Sequence, residues 1–442
     1  MNAQFKIPPY ETYTLDNGLT VYLLEKKNFP LISFAFANNT GSIKDGEHYG
    51  LSAFTVEALK FGTENFSKSE IDSIFNFYGS ELYLNSGYDF STISSTVIKD
   101  YFDKLFDVFS EVVTKPKFDE IEIEKRKQRW IVELDQAKES PRAVIGYYFN
   151  KFIFGDDIYS NPVTGLKSTI NKINKDLIVS FYNQNYHPAN SAIIIVGDFN
   201  YTEMRDKIEK SFGKWNPEHQ RIIYDFRLQK KTFKKSRVYL IDKDNSTETT
   251  FMIGGFGVPM SNEDKIKIEV INTILGGRFT SWLNDELRVN AGLTYGARSR
   301  FSFYNYSGTF AISSFTQTKN TETAIDLALK TYKRLFEKGI DEQALNSAKN
   351  YLKGQFPPNF ETSYQLSNYF VQKFIYGLDD SYINQFEETI DNFSINQTKE
   401  IIEKYFPKEN FQFTIIGKAS EIEKAVSKYG EVIKTSIFED SY

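Results

Sequence analysis

Two stretches far apart in the chain repeat one order of residue types, and this duplication limits the fold more than any other feature of the sequence. NYHPANSAIIIVGDFNYTEMRDKIEKSFGKW runs from Asn185 to Trp215, and KYFPKENFQFTIIGKASEIEKAVSKYG from Lys404 to Gly430. Each passes from an aromatic residue and a proline into an apolar strand, a glycine and an amphipathic helix. Pro188 and Pro407 stand 219 positions apart, and Gly197 and Gly417 stand 220 apart, so the chain reads as a tandem of two similar units. Its 442 residues exceed what one ordinary core organises, which agrees with that division. The expected halves are residues 1–218 and 237–442, joined by a polar, basic linker over 219–236.

Within the first half, NGLTVYLLEKKNFPLISFAFANN alternates β-branched and aromatic residues around Asn28 to Pro30, which predicts two antiparallel strands joined as a hairpin. Helical periodicity follows from Leu51 to Gly62 and again in SKSEIDSIFNFYG, with Ser67 or Ser69 as the cap. SGYDFSTISSTVI is strand-like, and Asp100–Val113 and Phe118–Lys138 are long amphipathic helices. The charge run EIEIEKRKQRWIVELDQAKE reads as a solvated helix face with i,i+4 pairs. RVYLIDKDNSTETTFMIGGFGV opens the second half with strands, as the first half opened. Strands and helices alternate without a phosphate-binding βαβ turn, so each half is α+β.

Composition removes several functions. A net charge of -5 lacks the basic excess that would neutralise a nucleic-acid backbone. The absence of cysteine excludes disulfides, thiolate catalysis and every cysteine-containing metal site. No window approaches the roughly 18 consecutive apolar residues of a membrane span, and MNAQFKIPPYETYTLDNGL has no apolar leader core. The expectation is a soluble chain, cytoplasmic as written, or periplasmic if a leader has been removed.

Three phrases, in order, carry a family resemblance: GLSAFTVEALKFGT (Gly50–Thr63), FGDDIYSNPVTGLKSTINKINKDLIVSFYNQNYHPANSAIIIVGD (Phe154–Asp198) and LGGRFTSWLNDELRVNAGLTYGARSRF (Leu275–Phe301). They resemble the pitrilysin/insulinase family of zinc peptidases, which includes the mitochondrial processing peptidases. The first aligns without a gap to the family's G-L-A-H-F-L-E-H-M-L-F-K-G-T. There H-x-x-E-H puts two imidazoles on one helix face for zinc, and the glutamate activates the bound water. Here those positions hold Ala53, Val56 and Glu57. The family's third ligand corresponds to Glu133, a vestigial ligand or an ordinary paired carboxylate on a charged helix. The histidines, His48, His187 and His219, lack a second ligand at helical spacing, and His187 beside Pro188 reads as structural.

The resemblance also implies two tandem α/β-roll halves, each an antiparallel-rich sheet covered by helices, enclosing a clam-shell cavity. Arg288 and Tyr295 match the family's second-half Arg and Tyr, which reach across that cavity to substrate at the other half's zinc. Fixed guanidinium donors and a phenol hydroxyl suit a peptide carbonyl whose oxygen gains charge. Residue type alone leaves Arg288 free to cap or ion-pair its own helix and Tyr295 to pack in the sheet. Gly276 and Gly277 read as a turn between helices, and two adjacent glycines depart from the longer glycine-rich guiding loop of non-catalytic processing-peptidase subunits.

The expected function is therefore the non-catalytic, substrate-binding subunit of a heterodimeric zinc endopeptidase. This chain would hold no cofactor, and the zinc would lie in a homologous partner bearing H-x-x-E-H. A peptide is expected to add as an extended strand to a sheet edge. The alternative is a structural or assembly subunit with no part in peptide cleavage, and a homodimer of the isolated chain stays open. An independent hydrolase has no G-x-S-x-G or His-containing triad to support it.

Overall fold

The computed structural model describes residues 5–215, 226 and 232–442. Most of the expected linker, including His219, lies outside the described residues. Two six-stranded sheets organise the chain. The first contains β1 (Glu11–Thr14), β2 (Thr20–Glu25), β3 (Leu31–Asn38), β4 (Tyr83–Ser86), β5 (Ser91–Ile98) and β6 (Ser191–Gly197), in the order β1-β2-β6-β3-β5-β4. The second contains β7 (Arg237–Asp242), β8 (Glu248–Phe256), β9 (Ala297–Phe303), β10 (Gly308–Gln317), β11 (Gln412–Gly417) and β12 (Glu431–Ser436), in the order β12-β7-β11-β8-β10-β9. The orders match position by position. Only the first outer strand differs, since β1 runs antiparallel to β2 whereas β12 runs parallel to β7. The protein is α+β, with two similar halves.

The expected hairpin between β2 and β3 does not form, because β6 lies between them, parallel to β2 and antiparallel to β3. SAIIIVG is buried at every position and has no wet face to place at a sheet edge. Residues 26–30 are enough chain to step over one intervening strand, about 10 Å at the usual strand spacing. The repeated glycine that ends β6 has a steric cause: a Cβ on Gly197 would lie 2.2 Å from the Leu31 carbonyl oxygen of β3. Other local signals hold. Ser67, not Ser69, caps the Lys68–Phe77 helix in a reciprocal capping box with Glu70, and Asp119 caps the Glu120–Lys138 helix. Among the described residues, no helix is long and apolar enough to cross a membrane.

The halves exchange helices. The first-half helix Pro141–Phe154 packs on β8 and β11 of the second sheet, while the second-half helix Ser363–Tyr376 packs on β3 and β6 of the first. Phe152 stacks on Tyr239 at 5.3 Å and Phe154 meets Phe256 edge-on at 5.6 Å. In the reciprocal contact, fully buried Phe370 stacks on Tyr22 at 5.4 Å. The chain ends also cross over. Tyr10 donates to Asp380 at 2.8 Å, and Asp440 accepts from the Lys167 and Ser168 amides at 2.9 and 2.8 Å.

A third contact joins two hairpin turns, one from each sheet. Buried Asp89, between β4 and β5, accepts from Tyr159 Oη at 2.7 Å and from the Asn305 amide, between β9 and β10, at 3.0 Å. Tyr159 accepts in turn from the Tyr306 amide at 3.0 Å, and Asn150 donates to both Tyr88 and Tyr304 hydroxyls. Burial lifts the Asp89 carboxyl from 3.8 to about 6, against the opposing hydrogen bonds from Tyr159 and Asn305. With its folded value above its unfolded one, the folded chain holds this proton more tightly. The resulting stabilisation is fully present below about pH 4 and is lost as pH rises through about 6. At about 1.36 kcal/mol per pH unit, the effect is on the order of 2–3 kcal/mol. Denaturant unfolding of the native chain and Asp89→Asn, compared from pH 4 to 7, should show this pH-dependent component only in the native chain. Parallel stability profiles would contradict it.

Candidate functional site

The helix carrying the degenerate motif, Leu51–Ala58, begins at Gly50 in a left-handed conformation, φ 91°. No side chain of Gly50 can cap it. Instead Asp45 accepts from the Gly50 and Ser52 amides, both at 2.8 Å. Asp45 is itself buried, and that burial pushes its carboxyl well above the usual range. Every residue of the helix is buried except Glu57. Ala53 and Val56 have thus become core positions, and Phe54 stacks on Trp130 of the Glu120–Lys138 helix at 5.3 Å.

Glu57 and Glu133 come together on one guanidinium. Arg126 Nε and Nη2 donate to the Glu57 carboxylate at 2.5 and 3.2 Å, and its Nη1 donates to both Glu133 oxygens at 2.9 Å. The guanidinium lies over the Trp130 ring, 4.4 Å from its centroid. Planar, delocalised charge suits both tasks: bridging two carboxylates and stacking on indole. These residues do not fit a zinc ion. Ala53 offers no donor atom, and both carboxylates already accept hydrogen bonds from one fixed guanidinium. Among the described residues, no group of three His, Cys, Asp or Glu side chains could hold a metal. His187 is structural, its Nε2 2.9 Å from the Asn183 carbonyl. Of the two sequence readings of Glu133, vestigial ligand or paired carboxylate, the structure shows it paired. Arg126, seven positions earlier on the same helix, was missed, although the i, i+7 spacing could have revealed it.

In the second half neither structural role available to Arg288 or Tyr295 is taken up. Arg288 lies in a wide helical turn, Asp285–Asn290, with its guanidinium 4.6 Å from the centroid of the exposed Phe279 ring and no ion pair among the described residues. Tyr295 is 83% exposed. The loop presenting it is anchored by Ser314 and Thr316, whose hydroxyls donate to the Gly296 and Leu293 carbonyls at 2.9 and 2.7 Å. No hydrogen bond joins Arg288 to Tyr295. Gly276 proves to be a packing glycine, since a Cβ there would lie 2.2 Å from the Ser299 amide nitrogen of β9. It is the penultimate residue of a wide helical turn, Thr273–Gly277, that continues the Lys265–Asn272 helix.

The two far sheet edges differ. β4 pairs only with β5 and borders a cleft of about 520 Å³ lined by Tyr83 and, from the other half, Tyr364. The outer edge of β9 is covered: Asn272 donates to the Ser299 carbonyl at 3.1 Å, and Asn284 accepts from the Ala297 amide at 3.3 Å.

Family models match both halves: "Insulinase (Peptidase family M16)" over residues 22–165 and "Peptidase M16 inactive domain" over 172–352. The chain belongs to peptidase family M16. It is 23% identical over 353 residues to the "Uncharacterized zinc protease YmxG" of Bacillus subtilis, covering 79% of this chain and 84% of the relative. It is 25% identical to the "Non-peptidase homolog YmxG" of Helicobacter pylori, covering 76% and 77% respectively. The fold matches a crystal structure described as a peptidase M16 inactive domain from Pseudomonas fluorescens, with a TM-score of 0.86, 21% identity and coverage of 93% of this chain and 98% of that one.

Two measurements check this reading of the M16 motif positions. Chelator-free purified chain should carry no stoichiometric zinc; about one zinc per chain, lost in Glu133→Ala, would overturn it. Arg126→Ala should lower unfolding stability by about 1–3 kcal/mol, less than for a fully buried pair because the Glu133 side chain is 56% exposed. Unchanged stability would mean the bridge contributes nothing.

Proposed function

We propose that this M16 homologue is the non-catalytic, substrate-binding subunit of a heterodimeric zinc endopeptidase. A homologous partner supplies H-x-x-E-H and its zinc, and this chain supplies Arg288 and Tyr295. One asymmetry carries the reading. The first-half motif positions are spent on core packing and an internal ion bridge, whereas the second-half pair keeps its hydrogen-bonding groups uncommitted on an anchored surface. A scaffold has no need of an anchored loop that presents a free tyrosine. Arg288, held on Phe279, and Tyr295 would donate to the carbonyl of a peptide held at the partner's zinc, where negative charge develops as the bond is attacked. Strand addition would fall to β4, since β9 has Asn272 and Asn284 on its outer edge.

Steady-state kinetics on the reconstituted pair tests the proposal. Arg288→Ala or Tyr295→Phe should reduce turnover by on the order of 2–4 kcal/mol in activation free energy, with little change in assembly by size exclusion. Arg288→Lys should fail substantially, because an ammonium cannot reproduce the planar donor fork. Unchanged turnover in all three variants would favour the structural subunit.

A further inference from the structure

We infer that the face of β9 turned toward the Pro141–Phe154 helix is a receptor for an acidic, extended peptide. Ala297, Ser299 and Phe301 are buried on one side of β9, so Arg298 and Arg300 project from the other, where both are exposed. Neither makes an ion pair or a side-chain hydrogen bond among the described residues. Their cross-strand partners on β10 are small, Ser313 and Ala311, which leaves the guanidinia room above the sheet. Two residues along β10 on the same face, Phe315 carries a third guanidinium, that of Arg142, 4.1 Å from its ring centroid. Among the described residues, Arg142 also has no carboxylate partner.

The surroundings favour an anion. Arg142 sits in the first turn of a 14-residue helix that has no acidic residue there and whose cap, Ser140, makes no side-chain bond, so the positive helix end faces the same region. Asp89, a charged neighbour of Tyr304 alongside Arg300, is buried and committed to Tyr159 and Asn305. Like charges on one sheet face without a counter-ion among the described residues repel one another, and a ligand that supplies carboxylates removes that cost. Spacing narrows the choice. Alternate residues of a strand and of an extended peptide both recur at about 6.6 Å, so acidic residues at i and i+2 would each meet one guanidinium. A net charge of -5 argues against a nucleic-acid backbone as the natural occupant.

The inference deepens the proposed function by naming the class of peptide and rests on that reading for the peptide's fate, but binding is testable on the chain alone. Fluorescence anisotropy would use a short labelled peptide with glutamate at alternate positions and a matched peptide with glutamine. The acidic peptide should bind at least about tenfold more tightly and weaken as salt is raised. Arg298→Gln/Arg300→Gln should abolish the preference, and Arg142→Gln should reduce it, with unchanged melting temperatures as the check on folding. Equal affinity for both peptides, or an undiminished preference in the double variant, would overturn the inference. So would a single-stranded oligonucleotide of equal charge that bound more tightly than the acidic peptide. Acidic-peptide binding without restored peptidase activity would sink the proposed function alone, whereas restored activity without acidic preference would sink only this inference.

Discussion

Each half of this protein covers the other half's sheet with one of its own helices, and most of the architecture depends on that exchange. A sheet with an uncovered apolar face would not persist in water, so neither β3 and β6 nor β8 and β11 could remain as they are without the helix lent from across the molecule. Phe370 and Phe154 are the anchors, large buried rings of the kind whose truncation costs about 3–5 kcal/mol. The crossed chain ends and the Asp89 turn contact tie the same interface at its margins. Surfaces contributed by different halves can then hold fixed positions relative to one another. A grip formed by the Pro141–Phe154 helix of one half and β9 of the other requires just that.

The first-half motif positions serve core packing and an ion bridge within the family fold. Two carboxylates left facing each other near a core would repel, and each would be poorly solvated. Arg126 answers both problems with one planar cation that binds Glu57 and Glu133 and stacks on Trp130. The histidine and glutamate positions of the family motif meanwhile became Ala53 and Val56, which fill core volume. The helix is committed to packing.

Much of this was legible in the sequence, and what was not has an identifiable physical cause. The duplication, the α+β class, the Ser67 cap and the long helices all rest on local periodicity or capping, which neighbouring residues decide. The insertion of β6 between β2 and β3 was not legible, because a strand buried on both faces advertises burial but not its neighbours. The helix exchange was equally hidden, since an amphipathic helix packs as well on a distant sheet as on its own. At the site, motif alignment pointed to Ala53, Val56, Glu57 and Glu133, but reading the surrounding charges as a solvated face concealed Arg126. In the second half, Arg288 and Tyr295 stood out by motif, while the shared face of Arg298, Arg300 and Arg142 emerges only when cross-strand register and the helix from the other half are known.

The two halves have thus gone separate ways on one scaffold. The first has closed its polar motif positions internally, and the second presents an aromatic–arginine surface at Phe279, Arg288 and Tyr295. If the proposed function holds, this second-half surface touches substrate held by a partner. Photocross-linking tests it most directly. A peptide carrying a photoreactive residue would be trapped on the complex with a partner whose general base has been replaced, and the adducts mapped by mass spectrometry. Adducts on this chain between Phe279 and Phe303 are expected; adducts confined to the partner subunit would contradict that contact.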